Sequence, residues 1–421
     1  MKKGLEMTAK RTTAKRLLAS LLLGVGLAAG AGLPARAEEG ITANSVRLGA
    51  TYPFTGATAV TGVMGRGVES YMKYMNSAHG GVVMADGKKR KIDFIVLDDG
   101  WDMPRVLGNV QRLVERDAIF AMAGGWGTQP NISMRPYLNE QKVPHLLPVS
   151  QATTFSVEED KYPWTTPGWG ITFSTEAAIY AEFLKKQMPN ATIAILTLNV
   201  DGGREFLNSF EKALEGSTLK IVAKASYEIT AASVDAEIIN LARSNADIFF
   251  NISTGKHSSQ SIRKVAEIGW KPLQLLIGQS SSIEGVLKPA GLENAKGIYT
   301  AAYLKDPSDS RWVKDPEMIE YRKVVEIAGG GHNPDDQFVL LGVSVGHTMV
   351  KALEASQPTR KSLIESARNL RGVRPLGLLP GITLTTGPND KFVIESAYLQ
   401  QFNGEKWELI GDIISRETKG Q

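Results

Sequence analysis

Short apolar runs alternate with amphipathic stretches along most of this chain, and few architectures accept that pattern. Residues 46–51 (VRLGAT), 91–97 (KIDFIVL), 119–123 and 143–147 read as strands. Between them, residues 60–78, 104–115 and 128–141 read as helices; Val63, Met64, Tyr71, Met72 and Met75 form the buried stripe of the first, and Ile132, Met134, Tyr137 and Leu138 recur at helical spacing in the third. Strands joined through helices by short loops build a parallel sheet covered on both faces.

The regularity breaks at residues 161–170 (KYPWTTPGWG), whose Pro, Gly and Trp suit a crossing between domains. It then restarts. Helices are expected at 175–188, 204–214, 235–243 and 258–268, and strands at 192–198, 220–227, 247–252 and 273–277. A strand at 298–303 leads to a second crossing at 304–307, followed by helices at 316–328, 337–354 and 361–369. Val339, Leu340, Val343, Val350 and Leu353 make the second of these a core helix. Residues 392–402 and 407–410 read as a hairpin around Asn403-Gly404. With 421 residues the chain exceeds what one core usually supports, so the fold class expected is α/β with two Rossmann-like lobes.

Residues 121–154 hold two strand-to-loop transitions flanking one helix. Gly124, Gly125 and Gly127 let backbone approach a ligand, and Thr128 is a candidate N-cap with Pro130 in the first turn. The unpaired N–H groups of such a turn can hold a carboxylate without a cation. Ser150, Ala152, Thr153 and Thr154 follow the next strand. Both loops would face the crevice beyond the carboxyl ends of the strands, although glycines and hydroxyls there can also simply turn the chain.

Residues 1–37 stand apart. A basic start (Lys2, Lys3, Lys10, Arg11, Lys15, Arg16) precedes an uncharged run over 17–34, and Ala35-Arg36-Ala37 leads into Glu38-Glu39. These are the parts of a secretory signal peptide cleaved after Ala37; a retained membrane anchor is the alternative. The leader carries a net +6 of the chain's +4, leaving −2 for the remainder, so the basic balance argues nothing about nucleic acid. The chain has no cysteine, which excludes disulfides and thiolate metal sites. No later run is long and apolar enough to span a bilayer.

An enzyme's equipment is not visible. His79, His145, His257, His332 and His347 show no metal-ligand spacing, and Gly255-Lys256-His257 lacks the rest of a phosphate-binding loop. Asp98, Asp99 and Asp102 suit turn and capping roles, with a carboxylate pair or metal site as the other reading. Among loop tryptophans, Trp126 reads as a ligand contact, and Trp164 and Trp169 as packing. No cofactor is implied.

The order of Val46-Arg47-Leu48-Gly49, Pro53-Phe54-Thr55-Gly56, Asp98-Asp99, Gly127-Thr128-Gln129-Pro130, Val143-Pro144-His145 and Ser150-Gln151-Ala152-Thr153 resembles type I periplasmic binding proteins, in particular the leucine/isoleucine/valine receptors of ABC importers. The resemblance implies a lobe of 38–166 plus 305–386 and a second of 167–304 plus 387–416, a tail at 417–421, and three crossovers hinging near Thr166, Leu304 and Thr386. It implies carboxylate binding at Gly127, Thr128, Ala152 and Thr153, with Ser150 and Thr154 adjacent. From the second lobe those receptors bring an aromatic where this chain has Asp201-Gly202, a tyrosine where it has Ser253-Thr254, and an ammonium-binding glutamate near Gln279-Ser280. An aromatic or aliphatic acid then becomes a candidate ligand, unless Asp201 or Glu284 replaces that glutamate, with Trp126, Tyr52 and Trp101 at the apolar end. The expected protein is a periplasmic receptor that works as a monomer and hands a small carboxylate ligand to ABC permease subunits. The rivals are a ligand-sensing module for a signalling or regulatory partner, and an exported amidase-like enzyme.

Overall fold

The computed structural model describes residues 38–415, so the leader and the tail lie outside the described residues. Two sheets organise the chain. The first has the order β2-β3-β1-β4-β5, built from β1 (Ser45–Tyr52), β2 (Val82–Val83), β3 (Lys89–Asp98), β4 (Ala121–Ala123) and β5 (His145–Leu146). β1 lies parallel between β3 and β4, β5 adds parallel to β4, and β2 adds antiparallel to β3. The helices α1 (Ala59–Ala78), α2 (Met103–Gln111) and α3 (Thr128–Glu140) connect these strands.

The second sheet has the order β12-β11-β10-β9-β8-β6-β7. Its parallel part is β6 (Thr192–Leu198), β7 (Lys220–Tyr227), β8 (Ile248–Ile252), β9 (Leu273–Leu276) and β10 (Tyr299–Ala302). The connecting helices are α4 (Phe173–Gln187), which precedes β6, α5 (Asp201–Leu214), α6 (Asp235–Ala242) and α7 (Lys256–Glu267). The terminal strands β11 (Ser396–Phe402) and β12 (Trp407–Ser415) pair antiparallel, as the hairpin reading expected. They also join β10 and extend this sheet, which the local turn signal could not indicate.

Helices α8 (Pro316–Ala328), α9 (Gln337–Glu354) and α10 (Arg360–Ala367) follow β10 in sequence, yet α8 and α9 pack on α1 beside the first sheet. The chain therefore passes between the sheets three times. Bridges between Ile171 and Ile394 and between Leu304 and Leu378 tie the crossing segments together.

The α1–α9 crossing has almost no room. A methyl added at Gly342 would lie 2.0 Å from the Met64 carbonyl oxygen, and one at Gly67 2.2 Å from that of Val339. Val339, Leu340, Val343, Val350 and Leu353 are all buried, as the sequence pattern required, while Val63 of α1 is only partly so.

Some local expectations shift. Thr128 is the first residue of α3 rather than its cap, because Gly127, at φ 95°, occupies the cap position. The strand expected at 143–147 shrinks to two residues, and Leu147 turns away at φ 48°. Asp102 does cap α2, accepting from the Arg105 N–H at 2.8 Å, and Asp98 accepts from the Phe54 and Gly100 N–H groups as a turn residue.

Overpacking a close helix crossing typically costs about 1–3 kcal/mol. Gly342→Ala should therefore lower the denaturant midpoint while leaving the slope unchanged; an unaltered midpoint would show that the crossing has slack.

Candidate functional site

The carboxyl ends of both parallel sheets face one another, and the loops leaving β4, β6, β8 and β9 meet there. This is where open α/β sheets bind ligands. After β4 the chain runs Gly124-Gly125-Trp126-Gly127, with the three glycines at φ 72°, 103° and 95°, a region side chains rarely adopt. Asn131, in the first turns of α3, holds this loop in shape. Its Nδ2 donates to the Gly125 and Gly127 carbonyls at 3.0 and 2.7 Å, which leaves Oδ1 to accept from His145 Nε2 at 2.8 Å. That assignment makes His145 a neutral imidazole protonated on Nε2. It is fully buried, and burial pushes its pKa from 6.5 down to about 3.

Two chambers adjoin at Trp126 and Gln279, which line both. The first, about 590 Å³ of space partly open to solvent, lies between Met64 of α1, Gln337, Phe338 and Leu341 of α9, the loop residues Val149, Ser150 and Gln151, Trp169, and the backbone of residues 301–304. The second, about 490 Å³, lies between Trp101, Gly127, Thr128 and Gln129 on one side and Phe173 of α4, Leu198 of β6, Gly202 and Phe206 of α5 and Thr254 after β8 on the other. The ring centroids of Trp101 and Trp126 are 4.7 Å apart, and a Cβ on Gly127 would strike Trp101 at 2.4 Å. Gly127 is thus required sterically as well as conformationally.

Among the described residues, no Asp, Glu, Lys, Arg or His lines either chamber. Polarity comes from hydroxyls, carboxamides and the N-terminus of α3. Thr128 Oγ1 and Ser150 Oγ lie 2.9 Å apart and link the two loops, and Ser150 Oγ also accepts from the Ala152 N–H. Thr254, 4% exposed, has a hydroxyl with no intramolecular partner in the second chamber.

Of the residues singled out from the sequence, Trp126, Gly127, Thr128, Ser150, Thr254, Gln279 and Trp101 come together at these chambers. The others line neither. Tyr52 is fully buried in the first sheet's core, its ring against Gly65 of α1. Ala152 is buried, with its N–H on Ser150 Oγ. Ser280 bonds the Ser253 carbonyl and so joins the ends of β8 and β9. Asp201 is half exposed and paired with Arg204, and Glu284 is paired with Lys288, so neither replaces the missing glutamate.

Thr153 is the most instructive departure. Its N–H and its Oγ1 both donate to Glu205 Oε1 at 2.8 Å, so a carboxylate of this chain, from α5, takes the donors expected for a ligand. Burial raises the Glu205 pKa against the lowering effect of those two hydrogen bonds. The sequence reading missed Glu205 because a glutamate in an amphipathic helix looks like a solvated face. It also missed Gln151, Met64 and Phe338. Trp169, read as packing, does pack, with Nε1 donating to Thr348 at 3.0 Å, and also walls the first chamber.

A cleft between two α/β sheets, joined by three crossings and lined by neutral polar groups and aromatics, defines a class of solute-binding proteins. The chain belongs to the periplasmic binding protein family, whose model matches residues 45–406. It is 23% identical over 299 residues to the Leu/Ile/Val-binding protein homolog 8 of Brucella suis, covering 69% of this chain and 70% of that one. Its fold resembles a branched chain amino acid ABC transporter protein from Thermus thermophilus with bound valine, at TM-score 0.76 and 15% identity over 89% of this chain and 97% of that one. It also resembles a fatty acid ABC transporter substrate-binding protein from Thermomonospora curvata, at TM-score 0.73 and 18% identity over 90% and 95%. The family is one of binding proteins, not enzymes. Among the described residues no helix is long and apolar enough to cross a membrane.

Because His145 titrates near 3 when folded and near 6.5 when unfolded, the unfolded chain binds the extra proton between those values. Its contribution to stability is present above about 6.5 and is lost as pH falls toward 3. His145→Gln, which keeps a donor for Asn131, should flatten the fall of the melting midpoint with acidification; an identical slope would mean the imidazole is not held neutral.

Proposed function

We propose that this chain is the solute receptor of an ABC importer and that its ligand is a small carboxylic acid without a free ammonium group. The observation that carries the reading is the wholly uncharged lining of two chambers shared between the sheets. A carboxylate suits the N-terminus of α3, where the N–H groups of Thr128 and Gln129 and the Thr128 hydroxyl offer donors without a counter-cation. An ammonium would have no acidic side chain to meet, and burying it unpaired is costly. Trp101, Trp126, Phe173 and Phe206 supply an apolar wall for an aromatic or aliphatic body.

Export and cleavage after Ala37, action as a monomer, and delivery to membrane permease subunits complete the proposal. The lobes are 38–166 with 305–386, and 167–304 with 387–416, hinging near Thr166, Leu304 and Thr386. A ligand touching both lobes only when they are together shifts the population toward closure, and the closed face is what a permease would read.

The test is thermal melting of residues 38–421 against leucine, valine, benzoate, phenylpropionate, hexanoate and succinate. A ligand bound only by the folded state raises the midpoint. Acids lacking the amine should stabilise and the amino acids should not, and Thr128→Val should weaken the acid about tenfold, the worth of one hydrogen bond to a charged group. Stabilisation by leucine alone would sink the desamino reading.

A further inference from the structure

Gln151 carries an unused hydrogen-bonding atom beside the first chamber. The residue lines that chamber and is 8% exposed. Its Nε2 donates to Glu176 Oε2 at 2.6 Å, while its Oε1 is buried with no hydrogen-bond partner. A buried acceptor left unpaired is costly, and native structures tolerate few of them without a functional reason.

The orientation of this amide is not free. Glu176 is fully buried on α4, and its other oxygen accepts from the Gly278 N–H at 2.6 Å and lies 2.9 Å from the Tyr180 hydroxyl, whose single proton the Leu276 carbonyl also draws at 2.7 Å. Both oxygens of Glu176 thus act as acceptors, and flipping Gln151 would set its carbonyl against a carboxylate oxygen. Tyr180 is fastened in turn by the Ala301 N–H at 2.8 Å, and the Gln151 carbonyl accepts from the Phe173 N–H at 2.9 Å. Glu176 therefore contributes no charge to the chamber surface and instead fixes which way Gln151 faces.

We propose that Gln151 is a specificity-determining residue that accepts a hydrogen bond from a hydroxyl or amide N–H on the ligand, with Glu176 as the positioning residue. The inference rests on the receptor reading above and narrows its ligand class. The acid's carboxylate sits at α3 in the second chamber, its body passes between Trp126 and Gln279, and a neutral donor at its far end reaches Gln151. The remaining walls of the first chamber combine apolar Met64, Trp169, Phe338 and Leu341 with neutral Gln279, Ser281 and Gln337, so a charged far end would meet no counter-charge there.

The experiment compares matched acids by calorimetric titration of the intact mature chain: para-hydroxybenzoate with benzoate, para-hydroxyphenylpropionate with phenylpropionate, and omega-hydroxyhexanoate with hexanoate. The methyl ethers of the two phenols serve as acceptor-only controls. At least one hydroxyl acid should bind about 10- to 100-fold tighter than both its deoxy and its methoxy counterparts, the loss expected when a buried acceptor goes unpaired. Glu176→Gln should collapse that preference and favour the methoxy acid relative to wild type, because the Gln151 amide can then turn its Nε2 outward. A merely structural Glu176 would change affinity for all members alike. Binding of acids without preference for the hydroxyl overturns the inference and leaves the receptor reading standing. Binding of none of them removes the acid-receptor reading and the inference with it. Should Glu176→Gln fail to fold, the wild-type ratios alone decide.

Discussion

The Asn131 carboxamide holds the site together. With two carbonyls of the glycine loop on its Nδ2 and an imidazole N–H on its Oδ1, it uses one short side chain to fix a backbone shape that the backbone bonds to Leu146 and Val149 hold from one side only. Everything at the cleft follows from that shape. Trp126 stands between the chambers because Gly125 and Gly127 let the chain turn on either side of it, and the N-terminus of α3 faces the second chamber because Gly127 caps it. The β4–β5 register brings His145 opposite Met122, which sets the imidazole within reach of Asn131. An aliphatic side chain in its place would leave Asn131 with an unsatisfied buried acceptor.

The electrostatics are arranged so that charge stays out of the chambers while acting just behind them. Glu176 and Glu205 are both buried carboxylates whose pKa values are raised by desolvation, and each is met by neutral donors rather than a cation. Glu205 occupies the donors of Thr153 across the cleft, and Glu176 orients Gln151 and the turn at Gly278. Neutral dipoles can hold a carboxylate in a site of low dielectric because each hydrogen bond to a charged acceptor strengthens there. A site of this design distinguishes ligands by where their donors and acceptors fall rather than by net charge.

Much of the architecture was legible from the chain. The alternation of apolar runs with amphipathic stretches located nearly every long element, and 192–198, 220–227, 316–328 and 337–354 coincide with β6, β7, α8 and α9 residue for residue. Each of these carries its own periodic pattern between clear turn or capping residues. The short β2, the truncated β5 and the helical turns over 278–295 were not legible, because none is long enough to display a period. At the site, glycines and hydroxyls after a strand pointed to the right loops. They could not tell Thr128, which meets the second chamber, from Thr153, which meets Glu205.

Sequence alone determined the α/β class, the doubling of the plan, the loops that carry polarity and the lack of cysteine chemistry. These are local properties, since periodicity, turn residues and composition act over a few neighbours. Tertiary structure decided what those loops face. Tyr52 left the cleft for the core, Asp201 turned to Arg204, and Glu176 and Glu205, both beyond the first crossing, came to brace Gln151 and Thr153 of one loop. Such pairings depend on sheet order and on three long-range crossings. No spacing along the chain encodes which side chain will stand opposite another once two sheets close on one cleft.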